Sequence, residues 1–220
     1  MGFKPTAELV YYTQVNPLSQ MAAKHKLKEP QDLIEFAGRW DYGDKSIAKM
    51  GDRGIIQRWM KQGEESMIEM VDAAFFLVCS RVVSHELVRH RLASFQQESQ
   101  RFVSYEDENP EDLFYVPEMI QGPGTDPFLE SALWFYKNLK DNGVPKQLAR
   151  YVLPNATRVR MVMKANLREW RHVLKLRLHK SAQPEMQELM WQIHDQLLET
   201  FPEVFADIKP ALEAGERAAR

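Results

Sequence analysis

The residues Arg89-His90-Arg91-Leu92-Ala93-Ser94-Phe95-Gln96-Gln97-Glu98-Ser99-Gln100-Arg101 concentrate polar chemistry in one short stretch. It holds three arginines, a histidine, two serines and three glutamines, with Glu98 as the only carboxylate. An Arg-His-Arg triplet cannot be desolvated without anionic partners, because unpaired buried charge costs several kcal/mol. Two uses fit these residue types. One is an anion site, in which guanidinium forks grip phosphate oxygens. The other is a solvated helix end, where the dipole favours cations.

A second basic group lies further along. Residues 150–180 contain Arg150, Arg158, Arg160, Lys164, Arg168, Arg171, Lys175, Arg177 and Lys180, against the single carboxylate Glu169. So lopsided a stretch implies an anionic partner. If the two groups converge, within one subunit or across an interface, they form a pocket for a phosphate or pyrophosphate. Ser99 and the glutamines would then add neutral hydrogen bonds to a polar heterocycle. Arg177 is out of place on its helix. Leu167, Trp170, Leu174 and Leu178 share one face at about 100° per residue, and Arg177 projects from the edge of that face. It either snorkels to solvent or presents a desolvated guanidinium to a ligand. Arg168, His172, Lys175 and His179 share another face.

Other chemistries find little support. There is no phosphate-loop or dinucleotide glycine fingerprint. The six histidines are scattered without metal-ligand spacing, so no metal is expected. Cys79 follows Phe75-Phe76-Leu77-Val78 and reads as a small buried hydrophobe. Ser99 has no evident base beside it and reads as a ligand for phosphate or base, not a nucleophile.

The elements that must position these groups follow from periodicity. Residues 7–13 and the apolar run 73–79 read as strands. Residues 158–164 also read as a strand, with Val159, Met161 and Met163 alternating with polar neighbours. Helical patterns cover 17–28, 31–39, 45–62, 81–91, 127–141, 167–180, 184–200 and 203–214, with a short turn at 67–70 and a short helix from Pro145 to about Tyr151. Ser80 is a natural N-cap, and Asn166 with Glu169 suggests an N-cap with a capping box. Residues 104–126 read as an acidic loop. The expected class is α/β or α+β, a mixed sheet flanked by helices, with one domain spanning 1–220.

At 220 residues the chain can bury a proper core. Its net charge of -2 gives no global attraction to nucleic acid or membrane, and the acidic loop argues further against a nucleic-acid partner. One cysteine, no apolar run of membrane-spanning length and no signal-peptide pattern point to a cytoplasmic protein.

The pattern Arg89-His90-Arg91, Ser94, Ser99, Arg101 resembles the signature of the flavin-dependent thymidylate synthases. The flanks Ser84-His85-Glu86-Leu87-Val88 and Gln100-Arg101-Phe102-Val103 are similar too. So are Arg150-Tyr151-Val152-Leu153-Pro154-Asn155-Ala156-Thr157 and Asn166-Leu167-Arg168-Glu169-Trp170-Arg171-His172 with Arg177. The resemblance covers roughly residues 60–185. It implies a mixed α/β fold assembled as a homotetramer with sites at subunit interfaces. The implied reaction is reductive methylation of dUMP to dTMP. Methylenetetrahydrofolate would give the carbon, and NADPH would reduce a tightly bound FAD that supplies the hydride. It implies flavin contacts from Ser66, Arg89, His90, Arg91, Gln97, Asn166, Arg168 and His172. For dUMP it implies Glu86, Arg89, Gln97, Ser99, Arg101 and Arg150. Arg177 would stabilise the pyrimidine ionised at N3. Many members of the family carry Gly-His and Glu-His pairs before the buried strand. Here Gly63-Glu64 and Glu69-Met70 stand in their place, which leaves open a degenerate member that binds flavin or nucleotide without methylating.

Overall fold

The computed structural model describes residues 2–208. In chain order the elements are β1 (Thr6–Tyr12), α1 (Gln20–His25), α2 (Pro30–Trp40), α3 (Asp44–Ile47) and α4 (Gly54–Lys61). A 3-10 turn (Ser66–Met70) precedes β2 (Asp72–Ser80), α5 (Arg81–Leu87), β3 (Ser94–Gln97) and α6 (Pro110–Leu113). Then follow α7 (Thr125–Asp141), α8 (Lys146–Ala149), β4 (Arg158–Asn166), α9 (Leu167–Arg177), α10 (Pro184–Thr200) and α11 (Pro202–Phe205). The four strands form one antiparallel sheet in the order β1-β2-β4-β3. The class is mixed, a sheet flanked by helices, as expected.

The long pairing of β2 with β4 runs from Asp72↔Asn166 to Ser80↔Arg158 and forms the spine. Phe75, Leu77 and Cys79 on β2 and Val159, Met161 and Met163 on β4 are buried in one core with Trp170 and Leu174 of α9 and Leu178 just beyond it. Trp170 donates its indole N–H to the Ala73 carbonyl at 3.0 Å, and its ring meets Phe75 edge-on, so α9 is tied to the strand as well as packed on it. The exposed edge of β1 is covered by α10. Gln192 and Gln196 accept from the Ala7 and Leu9 amides at 2.9 and 2.8 Å, replacing the ladder a further strand would supply. A second cluster, with Tyr105, Leu113, Phe114, Leu129, Leu133 and Tyr136 at its centre, lies under the 103–157 segment.

Several boundaries differ from the sequence reading. The helix expected over 17–28 is confined to α1. The expected helix 45–62 is two helices. Gly51 adopts φ +106, and the buried Glu35 carboxylate accepts from the Gly51 and Asp52 amides, so the chain between α3 and α4 is hydrogen-bonded away from the helical path. The helix expected over 81–91 ends at Leu87, and beyond it the Arg89, His90 and Ala93 amides make tight i→i−3 bonds. The Arg-His-Arg triplet therefore lies beyond the helix. Likewise α9 ends at Arg177, and the acidic loop contains α6 and a 3-10 turn at Glu118–Ile120. β3 is unforeseen because Ser94-Phe95-Gln96-Gln97 is nearly all polar, and it exists through backbone pairing to β4. Of the helix expected over 203–214, α11 occupies the start and 209–214 lie outside the described residues. Among the described residues no helix is long and apolar enough to cross a membrane.

Candidate active site

The sheet and its two neighbouring helices bring Arg177, at the C-terminal end of α9, against the end of α5 and the turn that follows it. Its Nη1 donates to Glu86 Oε2 at 2.7 Å, its Nη2 to the Glu86 carbonyl at 3.3 Å, and its Nε to His90 Nε2 at 3.2 Å. The Arg177 side chain is 19% exposed. Arg177 thus neither snorkels freely nor waits unpaired: it is half-buried in an ion pair. Gln183 donates to the other Glu86 oxygen at 2.8 Å, so both oxygens of that carboxylate are fixed. His172, exposed on α9, stands edge-on to the His90 ring with centroids 5.8 Å apart. Burial, with the Arg177 charge and then His172, lowers the His90 pKa to about 4, so the ring is neutral at physiological pH.

Asn166 and Glu169 form half of the expected motif. Asn166 Oδ1 accepts from the Glu169 amide at 2.8 Å, a true N-cap. The Glu169 carboxylate does not close a capping box; it lies buried, 3.4 Å from His90 Nδ1. Capping the helix leaves the side chain free to face inward.

Most of the basic excess over residues 150–180 is neutralised inside the chain. Arg158 pairs with Glu108 at 2.6 Å, Arg160 with Glu98 at 3.2 Å, and Lys164 with Asp72 at 2.6 Å. Arg168 pairs with Glu69 at 2.5 Å. Arg171 is buried and held by Asp207, Glu65 and the Val204 carbonyl. The carboxylates come from distant elements, so the bias seen along the sequence largely disappears in space.

What survives is selective. Among the described arginines, Arg39, Arg53, Arg58, Arg158, Arg160, Arg168, Arg171 and Arg177 each have a carboxylate partner, whereas Arg81, Arg89, Arg91, Arg101 and Arg150 have none. Four of those five were singled out from the sequence. Arg89, Arg91 and Arg101 are exposed. Ser99, two residues past β3, accepts from the Arg101 amide at 3.3 Å, and the Arg101 guanidinium lies over the Phe102 ring at 5.7 Å. Arg150, just past α8, is tied only to the Gln147 carbonyl, and Lys146 of α8 donates to the Phe102 carbonyl at 3.0 Å, linking that helix to the Arg101 turn. Gln97 closes β3 opposite Met161.

Ser66 and Arg168 line a separate cleft of ≈ 290 Å³ with Tyr42, Trp59, Glu64 and Glu65. Here Glu64 accepts from the Tyr42 hydroxyl at 2.8 Å, which raises the phenol pKa, and Tyr42 stacks on Trp59. Met70 is exposed. One chain thus presents three groups: Glu86, His90, His172 and Arg177; Ser99, Arg101 and Arg150; and Ser66 with Arg168. Sequence reasoning missed the roles of Glu169 and Gln183. The first has a signal, since Glu169, Val173 and Arg177 stand at i, i+4 and i+8 on one row of α9. The second has none, because Gln183 precedes a different helix.

A family model described as thymidylate synthase complementing protein matches residues 23–203. The flavin-dependent thymidylate synthase of Pyrococcus furiosus is 31% identical over 190 residues, covering 82% of this chain and 75% of that one. The namesake enzyme of Mycolicibacterium vanbaalenii is 30% identical, with 89% and 92% covered. Among solved structures, a UMP/dUMP methylase, PolB, from Streptomyces cacaoi bound with 5-Br dUMP superposes with a TM-score of 0.74 at 22% identity, covering 92% and 93%. Thymidylate synthase X from Helicobacter pylori with FAD and dUMP gives 0.69 at 21%, covering 92% and 98%. At these identities the superpositions speak to the fold.

Proposed function

The chain belongs to the flavin-dependent thymidylate synthase family, and from that membership we propose that it methylates dUMP to dTMP with FAD as its cofactor. We further propose methylenetetrahydrofolate as carbon donor, NADPH as reductant and a homotetramer that completes each site across subunit interfaces. The observation that carries the reading is the set of uncompensated guanidiniums. Arginines elsewhere in the described chain are salt-bridged, Arg81 apart, and those left without carboxylates are Arg89, Arg91, Arg101 and Arg150. Such groups suit anionic ligands that arrive from outside the subunit.

These residues fit the two ligands. Arg89 and Arg91, with His172 and Asn166, would hold the flavin nucleotide, and the Ser66 and Arg168 cleft would take another part of it. When bound, FAD supplies the hydride. Ser99, Arg101 and Arg150 would hold the dUMP phosphate, with Gln97 and Glu86 beside the nucleoside. Pyrimidine C5 is a weak nucleophile, and loss of the N3 proton enriches the ring in electron density. Arg177 would stabilise that anion through a guanidinium whose orientation is already fixed. No protein nucleophile is required.

A purified sample should be yellow and should release tritium from 5-tritiated dUMP when given NADPH and methylenetetrahydrofolate. A protein that stays colourless after flavin reconstitution and releases no tritium would refute the reading.

A further inference from the structure

We propose that Glu169 is a positioning residue for Arg177, acting through His90 by setting which ring nitrogen of that histidine carries the proton. The inference rests on the functional reading of Arg177 given above and assigns a role to a residue that reading leaves out.

A guanidinium can only donate. Arg177 Nε faces His90 Nε2 at 3.2 Å, so that nitrogen must be the acceptor and carry no proton. The ring proton then resides on Nδ1, and the group facing Nδ1 is the Glu169 carboxylate, 3.4 Å away. His90 and Glu169 are only 5% and 6% exposed, so bulk water does not compete for that proton. The carboxylate is the charged group closest to that nitrogen, and its charge favours the tautomer that places the proton beside it. The series thus runs from a charge contact between Glu169 and His90 into hydrogen bonds that join His90, Arg177, Glu86 and Gln183. The ring fixes the Nε side of the guanidinium and Glu86 fixes its far side.

The groups facing His90 are Glu169, His172 and Arg177 from α9, and Arg177 brings Glu86 of α5 against it. Protonating His90 would put a donor against a donor at Nε2 and release Arg177. The ring's depressed pKa, caused first by burial, keeps it neutral across the working range. Glu169 is likewise raised by burial, and either protonation state leaves an oxygen able to accept.

The test combines 15N-histidine NMR with kinetics on the flavin-loaded protein. In the wild type His90 should show the Nδ1–H tautomer, unchanged from pH 5 to 8. Glu169→Leu should mix the tautomers and lower kcat for tritium release roughly tenfold or more, the scale of a small misplacement of a reacting group, with flavin absorbance retained. Glu169→Gln, whose amide oxygen can face Nδ1 from the same position, should restore the tautomer and most of the rate. An Nε2–H tautomer or an imidazolium in the wild type would overturn the proposal. So would a Glu169→Leu enzyme that turns over like the wild type. If Glu169→Leu does not fold, the wild-type tautomer and the Gln variant still decide. A wild type that releases no tritium at all would sink the functional reading, and the tautomer would still test the positioning claim.

Discussion

Arg177 enters the structure with its donors committed to Glu86 and His90. Any ring anion it serves must displace the Glu86 carboxylate or share the guanidinium with it. Holding the charge in a prearranged ion pair keeps the fork aligned without substrate, which is what makes a fixed donor effective in a transition state. Arg177→Ala should therefore keep flavin absorbance yet lower tritium release by roughly two to three orders of magnitude, the range seen when one preorganised donor is removed. Arg177→Lys should not recover the rate, because a single ammonium cannot hold the His90 and Glu86 contacts together. Wild-type-like kcat in either variant would remove Arg177 from the mechanism. The sequence alone makes Arg177 conspicuous, since an arginine at the edge of an apolar helix face demands an explanation. It does not disclose the partner, because Glu86 lies on a separate helix 91 residues away.

At the scale of elements, the sequence is most informative where periodicity is long and least where tertiary contacts override it. The β2 and β4 strands and the α9 wheel follow directly from apolar spacing, and Ser80 and Asn166 cap helices as their positions suggest. The split between α3 and α4 has a different origin. Glu35 is fully buried on α2, pairs with Arg39 at 2.7 Å and accepts from the Gly51 and Asp52 amides. A carboxylate from another helix thus interrupts what reads locally as one helix. Glu35→Ala would strand a buried guanidinium and two amides, and should lower stability by about 3–5 kcal/mol, measured by urea unfolding. A loss of less than about 1 kcal/mol, the net worth of an ordinary hydrogen bond, would show that Glu35 is not what holds this junction. β3 was invisible for the converse reason. Its four residues carry almost no apolar signal, yet they place Ser94 and Gln97 opposite Lys164 and Met161 of β4, with Ser99 two residues beyond.

Across the whole molecule, two carboxylates tie the C-terminal elements to β2 and to α9 and titrate in opposite senses. Glu185, at the start of α10, is buried without a cation; its oxygens accept from the Ser80 amide and hydroxyl, both at 2.6 Å. Burial raises its pKa above 4.5 despite those bonds. The folded state therefore holds this proton more tightly than the unfolded chain, and stability should fall as pH rises from 4.5 through the folded-state value. Asp207 receives the buried Arg171 guanidinium, and that hydrogen bond lowers its pKa below 3.8. Its contribution is present above 3.8 and is lost as pH falls through the folded-state value. Glu185→Gln preserves one acceptor for the Ser80 amide while removing the buried charge, so it should flatten the decline on the neutral side and leave the acid limb alone. Asp207→Asn should lower the midpoint at neutral pH, where the pair with Arg171 is intact, and blunt the acid limb. Thermal unfolding midpoints followed from pH 3 to 8 separate the two effects. If Glu185→Gln were instead less stable than the wild type at pH 8, the buried carboxylate would have to be stabilised by more than its two bonds to Ser80. The link between α10 and the β2–α5 junction would then depend on the charge itself.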